Sequence, residues 1–279
     1  MRFAPLGGAG EDACTSTNLL CRRLPMIQRR FFAVAALTTA FGLAAAAAPT
    51  QAWSWNWGSE QVRGSGEVVS EARDLGSFDA VSMSGGFVVT VRQSRNAKVE
   101  VRTDRNLQSL LETRVVENGK GRTLEIAPKK GYNLSGSVRP QIVVELPELR
   151  AVTIGGSGDI KVEAMKSPRI DASVGGSGDI KFAQLETEQL VLSVAGSGDI
   201  SAAGTAQVLK LSVAGSGDVH AREMQADEVK ASIAGSGSAQ VNARKSLSIS
   251  IAGSGDIGYV GNPQVSTSVA GSGRIKKLD

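Results

Sequence analysis

The residues best placed to do chemistry in this sequence are five aspartates in one file. Asp159, Asp179, Asp199, Asp218 and Asp256 each close a Gly-Ser-Gly-Asp motif, and Ser238 and Arg274 hold the same position in two further copies. If successive copies stack as strands, neighbouring carboxylates lie about 5 Å apart and repel one another unless bridged. Ca2+, which takes carboxylate oxygens as ligands, would relieve that repulsion. The file is therefore a candidate metal ladder, and the chain a candidate Ca-stabilised structural envelope protein. Its period differs from that of the nine-residue calcium repeat. The alternative is that each Asp accepts a backbone N–H within its own corner as an Asx-turn and faces water, with no cofactor at all.

Other chemistries have thinner support. Gly-Ser-Gly recurs without the Lys or helix start of a phosphate cradle, so the glycines read as corners that need a positive φ. A β-helix enzyme acting on polysaccharides, as lyase or hydrolase, would need an acid/base pair in a groove. The sole histidine is His220, the regular copies offer only Phe182 and Tyr259 as sugar-stacking rings, and the carboxylates recur too evenly to mark one site. The preferred reading is non-catalytic. Ser173, Ser193, Ser212, Ser232, Ser250 and Ser268 form a column beside an Ala/Gly column, a flat strip of small side chains that cost little entropy to immobilise. That strip is the expected contact face for a protein or glycan partner, and it leaves oligomerisation open.

What must position these columns is a repeat. Gly-Ser-Gly begins at Gly156, Gly176, Gly196, Gly215, Gly235, Gly253 and Gly271, at intervals of 20, 20, 19, 20, 18 and 18 residues. Two residues before each corner stand Ile154, Val174, Val194, Val213, Ile233, Ile251 and Val269, and four after it come Ile160, Ile180, Ile200, Val219, Ala239, Ile257 and Ile275. Apolar and small polar residues alternate on the approach, which is the spacing of strands. One copy buries too little to stand alone, so the copies must stack. The expected fold is all-β, a right-handed parallel β-helix with rungs of about 18–20 residues and an irregular N-terminal cap.

Composition agrees and removes some functions. The chain is 41% hydrophobic but only 4% aromatic, so small β-branched side chains must fill the interior. The net charge of +4 comes largely from residues 1–52, because residues 53–279 carry 26 basic and 25 acidic side chains. No broad basic field exists to favour nucleic acid or an anionic membrane. From Met26 the sequence has a basic start, an apolar run over 31–48 and a small-residue site ending at Ala52. This is the layout of a secretory signal, so residues 1–52 are expected to be removed, with translation starting at Met26. A retained anchor is the alternative. Both cysteines, Cys14 and Cys21, precede Met26, so no disulfide is expected in the exported part, which would have no integral membrane domain. The expected location is periplasm, outer surface or medium.

Residues 53–67 read as a tryptophan-rich tether in which Trp53, Trp55 and Trp57 share one side of an extended chain. Residues 68–148 read as degenerate repeats forming the cap, and 149–279 as the regular solenoid. In the cap, strands are expected over 81–91, 99–101, 122–126 and 141–146, about two helical turns over 106–113, and a loop over 129–140. The stretch 68–71, the run Gly76, Ser77, Phe78, Asp79, Ala80 and Val81, the lead-in from Leu146 to Leu149, and the serial Gly-Ser-Gly-Asp-Ile copies resemble the bacterial head GIN family. That domain is described as the head of an autotransporter adhesin. The resemblance covers about 68–279 and implies a secreted parallel β-helix without an assigned chemistry. A translocator barrel would need a run of amphipathic strands, and none is expected from the residues given.

Overall fold

The computed structural model describes residues 59–118 and 121–278, which fall in one compact unit, Trp55–Asp279. The expected signal segment and the three tryptophans lie outside the described residues. Nineteen strands follow in order: β1 (Glu60–Arg63), β2 (Val68–Arg73), β3 (Ala80–Met83), β4 (Val88–Gln93), β5 (Lys98–Asp104), β6 (Leu111–Asn118), β7 (Gly121–Pro128), β8 (Tyr132–Ser135), β9 (Gln141–Leu146), β10 (Ala151–Ile154), β11 (Asp159–Lys166), β12 (Arg169–Val174), β13 (Asp179–Gly196), β14 (Ile200–Gly215), β15 (Val219–Gly235), β16 (Ser238–Gly253), β17 (Asp256–Val260), β18 (Gln264–Gly271) and β19 (Arg274–Lys277). Seventeen of them make one continuous sheet that coils as an open β-solenoid, and β1 and β8 form a separate parallel pair.

From β10 onward every pairing is parallel and places each repeat on the next. Ile154 registers with Val174, Val174 with Val194, Val194 with Val213, Val213 with Ile233 and Ile233 with Ile251, all of them buried. Side chains of complementary size alternate within the columns. Phe182 lies over Ala202, and Leu211 over Ala231, so the interior fills without aromatic bulk.

The corners explain why two glycines recur in each copy. Gly215 has φ of 140°, where a side chain is strained, whereas Gly198 has no such φ. Gly198 is needed because a Cβ there would overlap the carbonyl oxygen of Gly178 in the rung below. The Gly176 carbonyl accepts both Ser197 N–H (3.0 Å) and Gly198 N–H (3.1 Å), and the Gly196 carbonyl accepts the Ser216 and Gly217 N–H groups in turn. Close stacking of corner on corner demands both glycines, since a Cβ at Gly215 would likewise overlap the Gly196 carbonyl oxygen, and a positive φ is found only at the first, from Gly196 to Gly271. The expectation of a single conformational reason for both glycines is corrected accordingly.

The portion from β1 to β9 is built differently. β3 and β4 continue the parallel stack above β10 and β11, but β2 runs antiparallel to β5, β5 to β9, and β6 to β7. The expected two helical turns over 106–113 are a short 3-10 helix, Arg105–Leu110, after which Leu111 begins β6. Leu107 and Leu111 are both buried, Leu107 within the 3-10 helix and Leu111 as the first residue of β6. The expected loop over 129–140 contains β8, which pairs with β1. Tyr132 and Leu134 are half-buried, and the turn before the strand is Gly131, with φ of 89°, in place of a Gly-Ser-Gly corner.

Candidate binding surface

The serine column is continuous. Ser82, Thr153, Ser173, Ser193, Ser212, Ser232, Ser250 and Ser268 are register partners across eight successive rungs. Ser173 and Ser193 are half-buried, while Ser212, Ser232, Ser250 and Ser268 are exposed. Beside them run Ala195, Ala214, Ala234, Ala252 and Ala270. The strip is not flat throughout. Its N-terminal half sinks into a hollow of about 380 Å³ lined by Ser82, Thr153, Ser173 and Ser193. Ala80 and Ala151 form the low floor there, between the larger Thr123 and Asp171.

The aspartates form a file, but their partners are not in their own corners. Asp199 N–H donates to Asp179 Oδ1 (3.1 Å), Asp218 N–H to Asp199 Oδ1 (3.0 Å), and Ser238 N–H and Oγ to Asp218 Oδ1 (2.8 Å each). Asp179, Asp199, Asp218 and Asp256 thus cap the backbone of the next rung, whereas above Asp159 the Asp179 N–H donates to the Gly158 carbonyl (3.1 Å), and the Asx-turn expectation is corrected for those four. A turn within the copy was the only local partner visible in the sequence, whereas stacking brings a nearer donor. Where Ser238 replaces Asp, the next N–H, on Asp256, turns to the Gly237 carbonyl at 3.3 Å. Arginines close both ends of the file. Arg139 Nη1 donates to Asp159 (2.8 Å) and Arg274 Nη2 to Asp256 (2.9 Å). The Arg274 guanidinium, bonded to Asp256, holds that carboxyl below the usual Asp range. Among the described residues no group of three or more His, Cys, Asp or Glu side chains is arranged to hold a metal.

His220 is exposed and lines a hollow of about 420 Å³ with Lys181, Ser201, Arg222, Glu223 and Gln240. The hollow lies where the register slips between Ser201 and Gly204, a consequence of unequal rung lengths. Sequence reasoning missed a larger feature at another corner. A trough of about 890 Å³ crosses the rungs past Lys166, Glu186, Thr205, Gln225 and Arg244. The available signal was the rung-to-rung alignment of polar residues around Pro168, which lies far from the conspicuous glycine corner.

A repeat-built β-solenoid with broad outward columns is a surface-presenting scaffold. Residues 77–263 match the family model described as "Putative auto-transporter adhesin, head GIN domain", and the chain belongs to that family. The family description is of an adhesin head, a protein of the cell surface. Similar solved structures include one described as a "putative adhesin" from Bacteroides fragilis NCTC 9343, at 25% identity and a TM-score of 0.73, covering 78% of this chain and all of that one. A protein from Parabacteroides distasonis ATCC 8503 described as a "Putative lipid binding protein" has 30% identity and a TM-score of 0.66 over 79% of this chain and all of its own. A further "putative adhesin", from Parabacteroides merdae ATCC 43184, shares the fold at 23% identity and a TM-score of 0.64, covering 79% of this chain and all of that one. No curated protein matches the chain. No helix among the described residues is long and apolar enough to cross a membrane.

Proposed function

We propose that this chain is a non-catalytic binding module of the exported cell envelope or surface, and that the serine column is its contact face for a protein or glycan partner. The observation that carries the reading is the unbroken register of small hydroxyl side chains from Ser82 to Ser268. Small side chains let a partner approach the backbone closely, and hydroxyls both donate and accept hydrogen bonds. Membership of a family described as an adhesin head supports the same class of function. A lipid ligand, the class named for the similar Parabacteroides distasonis protein, is less well served. An acyl chain needs an apolar cavity, and the interior columns here are filled by buried side chains.

The test is to place Arg at Ser193 and Ser212 together, in the half-buried and exposed parts of the strip. Capture of envelope components by the purified protein should be lost, while the melting curve stays unchanged because both side chains point outward. Retained capture with an intact fold would refute this contact face.

A further inference from the structure

We propose that the trough on the corner opposite the glycine turns binds a linear hexose-based glycan carrying free amines, with one sugar unit per rung. This site lies apart from the serine face and goes beyond the function proposed for it. Register fixes the trough's shape. Lys166 pairs with Glu186, Glu186 with Thr205, and Thr205 with Gln225, which makes one wall. Two residues further along the chain, Glu188, Gln207 and Asp227 make the other wall. Ser167, Thr187 and Ala206 lie between the walls and are buried as the floor. The floor hydroxyls are already satisfied: Thr187 Oγ1 donates to a backbone carbonyl, with those of Pro168 and Gln189 each 3.1 Å away, and Ser167 Oγ donates to the carbonyl of Arg169. The trough is closed at one end by Gln93, whose amide donates to the carbonyls of Pro147 (2.9 Å) and Lys166 (3.1 Å).

Three features select the occupant. The first is spacing: rungs repeat every ~4.8 Å, close to the advance of one hexose in an extended β-linked chain, and the levels from Lys166 to Arg244 span about 19 Å. The second is the supply of unused polar groups. The side chains of Thr205, Gln207, Gln225 and Glu188 have no hydrogen-bond or ion-pair partner among the described residues, so their hydroxyl, amide and carboxylate groups face the trough unspent. The third is charge. Lys166 is taken by Glu186 (2.6 Å), and Asp227 by Lys245 (2.7 Å) with Arg244 3.8 Å away, which leaves Glu148 and Glu188 as the lining carboxylates with no ion-pair partner among the described residues. A polyanionic glycan would meet repulsion, whereas an amine-bearing one gains charge-assisted hydrogen bonds. An extended peptide fits less well. The strands under the trough are paired on both sides, so no sheet edge is free to add a strand, and Pro147, Pro168 and Ala206 offer no deep apolar pocket.

Isothermal titration of the purified protein at mildly acid pH, where amines are protonated and carboxylates ionised, tests this with four probes. A glucosamine hexamer should bind, an N-acetylglucosamine hexamer more weakly, hexalysine more weakly still, and a galacturonate hexamer not at all. Thr205→Arg, which sets a bulky cation midway along one wall, should abolish binding with an unchanged melting curve. Gln225→Ala should weaken the glucosamine hexamer about fivefold, the equivalent of one hydrogen bond. Should Thr205→Arg fail to fold, Gln225→Ala and Glu188→Gln carry the test on their own. No binding of the glucosamine hexamer, equal or tighter binding of galacturonate or hexalysine, or affinity untouched by the trough variants overturns the proposal. The capture assay at Ser193 and Ser212 reads the other face, so failure of one proposal is distinguishable from failure of the other.

Discussion

The stack from β12 to β18 and the portion from β1 to β9 solve the same problem by different means. In the stack, each rung's backbone is satisfied by the next, and among the described residues Thr187 is its one buried polar side chain. Of the five buried polar residues among the described residues, three lie in the N-terminal portion: Thr103, Asp104 and Gln108. There the work falls to individual side chains. Arg73 donates to the carbonyls of Leu111 and Gln108 (2.7 Å each), and the Gln108 amide donates to the carbonyls of Val69 and Val101. Asp104 accepts from Gly66 N–H, Ser137 N–H (2.8 Å each) and Ser137 Oγ (2.6 Å). A repeat can leave its backbone groups to its neighbour, whereas the first rungs, which have no equivalent neighbour, need bespoke partners. Asp79 Oδ1 and Thr103 Oγ1, buried without a partner, both fall in this portion and mark where such solutions are incomplete.

The largest effect that would break the comparison comes from glycine. In the stack, Gly198→Ala drives a methyl into the Gly178 carbonyl, backbone against backbone with neither free to move, and should cost about 3 kcal/mol in urea unfolding. In the N-terminal portion, Gly66 has φ of 85° and open space around its Cα, so Gly66→Ala carries backbone strain alone, about 1 kcal/mol. Equal costs would mean that the corners are looser than their stacking implies.

Acid sensitivity sharpens the contrast one step further down in size. The Ser137 hydroxyl bonded to Asp104 holds its carboxyl below the ordinary Asp value, helped by the Ser137 and Gly66 N–H groups and opposed by burial. A depressed carboxylate contributes stability that is fully present above its unfolded pKa and is lost as pH falls through the folded value. The loss therefore begins below about pH 4. Asp104→Asn should flatten the fall of the melting temperature between neutral pH and about pH 2. Asp256→Asn should flatten it less, because Asp256 is held mainly by one exposed arginine whose attraction is screened by solvent. A reversed order would show that the ends of the aspartate file, and not the N-terminal portion, set acid stability.

The same contrast decides what could be read from sequence. The inward columns through Ile154 and Ile160 were legible because translation by one rung turns a local strand pattern into a complete description of the interior. The family was legible from the same copies. β8, the 3-10 helix and the antiparallel pairs were not, since each depends on a partner that no repeat unit specifies. Even within the stack, the aspartate partners were not legible, because the donor lies about twenty residues away in the next copy and not in the same corner. The trough was hidden for a related reason: its walls come from the least similar part of each copy, where Lys166, Glu186, Thr205 and Gln225 share a position but no chemistry.

The smallest effect concerns the break in the file at Ser238. Ser238→Asp would join Asp159, Asp179, Asp199, Asp218 and Asp256 into one uninterrupted column. The new carboxylate would offer Asp256 N–H an acceptor in place of the long bond to Gly237, and would also add a like charge beside Asp218 and Asp256. These terms oppose, and the net change in stability should stay within about 0.5 kcal/mol. Calcium separates the two roles open to the column. A ligand ladder would melt higher with added Ca2+ than with chelator, and the joined column would shift further than the broken one, because an added carboxylate raises affinity for the cation. A set of backbone caps would give overlapping curves for both proteins, since one oxygen of each carboxylate from Asp179 to Asp218 is already spent on the rung that follows. Overlap is the expected result, and a shift that grows in Ser238→Asp would return the file to metal chemistry.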